Sequence, residues 1–107
     1  MIEVIYYRHL NRVTIQGHAN RGDPGHDLVC AGVSALAYTL AANVGNLRDC
    51  RMVRQPTVEL KPGDAVIEGK PIPRHKATAE LVFQTVCVGF EVMAAEYPQY
   101  ISYEIRG

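Results

Sequence analysis

Three cysteines, Cys30, Cys50 and Cys87, bring the most readily nucleophilic side chains to the 107 residues. Their number is odd, they stand 20 and 37 positions apart, and no C-x-x-C pair occurs. A disulfide framework or a thiolate zinc site is therefore disfavoured, and reduced thiols in a cytosolic chain are the natural reading. Cys30 falls in the first turn of a predicted helix opening near Asp27. Unpaired backbone N–H groups and the helix dipole favour negative charge there, so a thiol tends toward thiolate. His18 lies twelve positions earlier, at the end of a predicted strand. An imidazole and a helix-terminal thiol, joined by one loop, are the parts of a Cys–His dyad. Asp27 is placed either to cap the helix or to orient the imidazole. Ser34, four residues past Cys30, shares its helical face. The connecting loop, with Asn20, Gly22, Pro24 and Gly25, is expected to be mobile and to close over a bound peptide.

Plainer readings stand beside these. A cysteine early in a helix is often just a small packing residue, and Cys50 and Cys87 are expected to be inert packing residues. Asp27 can be an ordinary cap, and a mid-helix serine often only satisfies a carbonyl. His18, His26 and Cys30 can be read as three metal ligands, but their x₇ and x₃ gaps match no common zinc pattern. No metal or cofactor is expected, and no glycine-rich phosphate loop is present.

The elements that must position these groups follow from periodicity. Residues 2–8 and 13–18 read as the strands of a hairpin. A long Ala/Leu-rich helix runs from Asp27 to about Asn46, with Gly45 and Asn46 as its stop signal. Residues 51–60 and 65–69 form a second hairpin about Lys61-Pro62-Gly63-Asp64, and Pro56 marks an edge or a bulge. A second helix spans about 77–96, with Leu81, Val82, Val86, Phe90 and Met93 as its core face. Residues 99–105 are a last strand. The order β-β-α-β-β-α-β predicts one small α+β domain over 1–107, with two helices packed on a mixed or antiparallel sheet. The first helix is apolar nearly all round, which suggests cover on a second side by a partner subunit.

Composition sets the outer limits. The chain is 48% hydrophobic and 21% charged, enough for a core without staples. Eleven basic and eleven acidic residues leave no net charge, and a pI near 6.9 argues against direct nucleic-acid binding. No uninterrupted apolar run of about 18 residues predicts a membrane span, and the opening Met1-Ile2-Glu3-Val4-Ile5 reads as a strand, not a signal peptide.

Gly17-His18-Ala19, followed by Gly25-x-Asp27-Leu28-Val29-Cys30-Ala31-x-Val33-Ser34-Ala35-Leu36, resembles the signature of the bacterial ribosomal-processing cysteine proteases, as does the twelve-residue step from His to Cys. Gly89-Phe90 and Tyr97-Pro98-x-Tyr100-Ile101 resemble that family's second helix and last strand. Leu28 replaces a common isoleucine, and Gly32 a common alanine, which is expected to loosen the helix slightly. The resemblance implies a homodimeric cytoplasmic thiol protease. Its substrate class is the N-terminal extension of a large-subunit ribosomal protein, number twenty-seven in the bacterial series, removed during ribosome maturation. It implies Cys30 as nucleophile and His18 as general base, with Asp27 and Ser34 in support. Apolar aromatic residues before the cut are implied too, with Tyr38, Leu36 or Tyr100 as candidate pocket residues. A different class remains open: a non-enzymatic assembly or peptide-binding factor, which needs neither His18 nor Cys30. A thiol redox protein is disfavoured because no resolving cysteine lies nearby.

Overall fold

The structure is a computed structural model that describes residues 1–19, 22 and 24–107. Strand β1 (Ile2–Tyr7) pairs antiparallel with β2 (Arg12–Gln16), turned by a short 3₁₀ segment and by Asn11 in the left-handed region. Helix α1 (His26–Asp49) follows. The second hairpin comprises β3 (Val53–Lys61) and β4 (Asp64–Pro71), and helix α2 (Lys76–Glu96) leads to β5 (Ile101–Arg106). The five strands form one sheet in the order β3-β4-β2-β1-β5, mixed because β1 and β5 run parallel. This is the predicted α+β order.

Register explains why one face of the sheet is buried. Side chains alternate along a strand, and pairing sets Val4 beside Ile15, Tyr6 beside Val13 and Val13 beside Ile67. All five are buried, and α1 and α2 cover them with Val29, Val33, Leu40, Val44, Phe83 and Phe90. The two helices approach closely at small residues. Leu36 lies over Gly89, where a Cβ would stand 2.5 Å from Leu36 Cδ2, and Met93 fills the space at Gly32 in the same way. Gly32 therefore does more than loosen the helix: it accommodates the neighbouring one.

Pro56 behaves as its backbone requires. It sits on edge strand β3, where the register shifts between Arg54 and Thr57 and Gln55 takes a φ of 46°. Other expectations are corrected. Helix α1 passes through Gly45 and Asn46 and ends at Asp49, because Leu47 is buried with Val53 and Ala79 in a small second cluster. On α2 the core stripe is Ala79, Phe83, Cys87 and Phe90, whereas Leu81 is 63% exposed. Cys50 is exposed and is not a packing residue. Both helices also prove long and apolar enough to cross a membrane by length and composition, against the sequence reading, although their inner stripes pack on the sheet.

Cys87 is the packing cysteine. Burial pushes its thiol up to about 12, a rise that a hydrogen bond to Tyr103 only partly offsets. Burial likewise raises Tyr6, stacked near Phe83, to about 12. The unfolded chain releases the Cys87 proton near the ordinary value of 9.0, while the folded chain keeps it to about 12. This contribution is fully present below pH 9 and lost as pH rises toward 12. Thermal melting followed across that range should show a falling Tm, with a shallower slope in Cys87→Ala whatever its stability at neutral pH.

Candidate active site

Helix α1 opens on Gly25, a left-handed residue with no side-chain cap, and its first helical hydrogen bond runs from Val29 N–H to the Gly25 carbonyl. The amides of His26, Asp27 and Leu28 are therefore left without intrahelical acceptors. Cys30 is the fifth helical residue, just past the first turn and one residue further in than expected, because the helix starts at His26. The dipole effect declines over that turn, so neighbouring side chains must carry more of any thiol activation.

Cys30, half-buried between the flanking core positions Val29 and Val33, lines a cavity of about 350 Å³. His18 and Ser34 line the same cavity, so the structure brings three of the predicted site residues together. The opposite wall is the β3–β4 turn, with Leu60, Lys61, Pro62, Gly63 and Asp64. This turn is tied to the end of β2 by a 3.0 Å hydrogen bond from Gly17 N–H to the Gly63 carbonyl, and the His18 carbonyl accepts a 2.9 Å bond from the Met1 amino group. Gly63 has a φ of 73°, and a Cβ built there would fall 2.2 Å from His18 Nε2. The missing side chain is what lets the imidazole rest against the turn.

Asp27 is not brought into this cavity. Its carboxylate is fully exposed and accepts a 3.0 Å hydrogen bond from His26 Nδ1, so it neither caps α1 nor touches His18. The hydrogen-bond partner of the Cys30 thiol is His26, with Sγ 3.8 Å from Nε2. Sequence reasoning considered His26 only as a metal ligand. The missed signal was its i−4 spacing from Cys30, which stacks the two on one helical face. Among the described residues, no three His, Cys, Asp or Glu side chains gather as a metal ion would require.

Of the candidate pocket residues, Tyr38 lines the cavity, whereas Leu36 packs over Gly89. Tyr100 is buried elsewhere and donates its hydroxyl hydrogen to the Pro24 carbonyl, anchoring the end of the loop that precedes α1. Within the expected lid, Gly22, Pro24 and Gly25 are exposed; Asn20 lies outside the described residues.

Residues 1–102 match the family described as "Cysteine protease Prp". The chain belongs to that family. It is a cysteine protease, which removes the non-enzymatic alternative. A relative from Staphylococcus aureus named "Ribosomal processing cysteine protease Prp" is 28% identical over 89 residues, covering 83% of this chain and 80% of the relative. Two crystal structures of an essential ribosomal processing protease Prp from S. aureus share the fold. One, with a substrate peptide, has a TM-score of 0.69 at 23% identity, covering 98% of this chain and 97% of that one. The other, with a covalently linked product peptide, has a TM-score of 0.71 at 24% identity and the same coverage.

In a Prp-family chain, the imidazole that rests on the hairpin turn should be displaced by any side chain at Gly63. Gly63→Ala, strained by its positive φ as well, is expected to cost about 1 kcal/mol in stability. It should shift the His18 ring resonances in NMR spectra while those of His9 and His75 stay in place.

Proposed function

We propose that the chain removes the N-terminal extension of a large-subunit ribosomal protein, number twenty-seven of the bacterial series, with Cys30 as nucleophile and His18 as general base. The observation that carries this reading is the meeting of His18, Cys30 and Ser34 around one cavity in a member of a cysteine-protease family. The name of the S. aureus relative, and the substrate and product peptides in the related structures, support a peptide substrate of ribosomal origin.

The chemistry follows from the groups. His18 turns from Gly63 and takes the Cys30 proton, and the sulfur attacks the scissile carbonyl. The free amides of His26, Asp27 and Leu28 meet the oxyanion, each worth about 10²–10³-fold in rate. His18 returns the proton to the leaving amine, and water hydrolyses the thioester. Ser34 stands on the cavity wall to hydrogen-bond the peptide. Tyr38 and Leu60 give that wall apolar surface suited to aromatic residues before the cut. The exposed Gly22, Pro24 and Gly25, next to the Tyr100 anchor, stand where a bound peptide would pass.

The working unit in this reading is a cytoplasmic homodimer. Its free thiols suit a reducing compartment. Leu28, Leu81, Val88 and Val92 are each more than half exposed on α1 and α2. Much of the apolar surface of these helices is left exposed within one chain, and in this reading a second copy supplies the cover.

Cys30→Ala should abolish cleavage of a peptide spanning the extension and leave melting within a few degrees of the parent. His18→Gln should lower kcat/KM by at least about 10²-fold. Normal turnover by Cys30→Ala would refute the nucleophile assignment. Light scattering at micromolar concentration should give twice the chain mass, shifted toward one chain mass by Val88→Glu; a monomeric parent would refute the dimer.

A further inference from the structure

Two imidazoles compete for one sulfur, and in the free protein they are not equally placed. His18 lies with Nε2 toward Gly63. His26 lies with Nε2 3.8 Å from Cys30 Sγ, and its Nδ1 is 3.0 Å from an Asp27 oxygen. Helical geometry favours this contact. Residues i and i+4 share a face, and each Cα–Cβ bond tilts toward the helix N-terminus, which leans Cys30 back onto His26. Asp27 selects the tautomer: an ionised carboxylate only accepts, so Nδ1 carries the hydrogen and Nε2 presents its lone pair to the thiol.

We propose that His26, oriented by Asp27, is the resting proton partner of Cys30, and that thiol reactivity in the free enzyme depends on His26 whereas peptide turnover depends on His18. This rests on Cys30 being the nucleophile. In the resting step the Cys30 S–H bond breaks and an Nε2–H bond forms on His26. A thiolate then faces an imidazolium whose Nδ1–H is donated to Asp27. When a peptide fills the cavity and His18 leaves Gly63, His26 returns that proton to Sγ and His18 collects it for the leaving amine. Among the described residues, the other titratable groups lining the cavity with Cys30 are Lys61 and Asp64 at the hairpin turn, Tyr38 on α1 and His18, two residues past β2. Lys61 and Asp64 carry opposite charge, and among the described residues His26 is the hydrogen-bond partner of the sulfur.

The two roles separate in an alkylation experiment on the full chain carrying Cys50→Ser, which removes the exposed competing thiol. Iodoacetamide forms an S–C bond at Cys30 as iodide leaves, and peptide mass spectrometry gives the rate at pH 6.5 and pH 9. His26→Gln should slow alkylation about tenfold at pH 6.5 and leave the pH 9 rate within about twofold, because abundant hydroxide then ionises the thiol without help. Asp27→Asn, whose side chain is fully exposed and hydrogen-bonds His26, should slow the pH 6.5 rate in the same direction by a smaller factor. His18→Gln should leave both rates within about twofold. General damage to the fold would move both pH values together, and melting curves check it independently. A pH 6.5 rate that drops in His18→Gln and holds in His26→Gln and Asp27→Asn would overturn the proposal. Failure of the nucleophile reading is separate: it shows as peptide cleavage by Cys30→Ala, whatever the alkylation rates.

Discussion

Burial of Val29 and Val33 against the sheet holds the Cys30 sulfur to one direction, and the site is arranged around that constraint. The two valines bracket Cys30 on α1, and both are nearly inaccessible. Removing such side chains from water is worth about 1.5–3 kcal/mol each, far more than an exposed hydrogen bond could contribute. The helix therefore cannot rotate about its axis without exposing its core stripe. With the rotation fixed, Cys30 stands at the boundary between core and cavity, and Ser34 one turn on lines the same cavity.

The sheet meets this helix with a matching constraint. Strand β2 ends at Gln16, short of the expected 18, so His18 follows it by two residues, and the hairpin turn of β3 and β4 is tied back to this exit through Gly17 and Gly63. A two-residue Pro-Gly turn leaves little freedom in where its backbone lies. The wall facing Cys30 is thus set by strand register and not by a long loop.

Elements with strong local signals were legible. The alternation in β1 and β2, the Pro-Gly turn, the bulge at Pro56 and the existence of both helices all rest on backbone or side-chain preferences expressed within a few residues. The misread positions share another cause. Gly45 and Asn46 carry a genuine stop signal, but burial of Leu47 with Val53 and Ala79 outweighs it. Leu81 fits the apolar periodicity of α2 as well as Phe83 does, and only the direction of the sheet chooses Phe83. Cys50 and Cys87 look alike in sequence, yet one is exposed and the other buried, because Cys87 falls on the face turned toward Tyr6 and Tyr103.

The sequence by itself determined the element order, the placement of Cys30 near a helix start, and the neighbourhood of His18, Cys30 and Ser34, because each follows from short-range spacing on regular elements. Tertiary structure alone decided that the β3–β4 turn would wall the cavity, that Asp27 would face solvent beside His26, and which imidazole the free thiol would touch. Those outcomes depend on how far α1 is rotated against the sheet and where its first turn begins. Such angles and offsets are set by packing among residues distant in the chain.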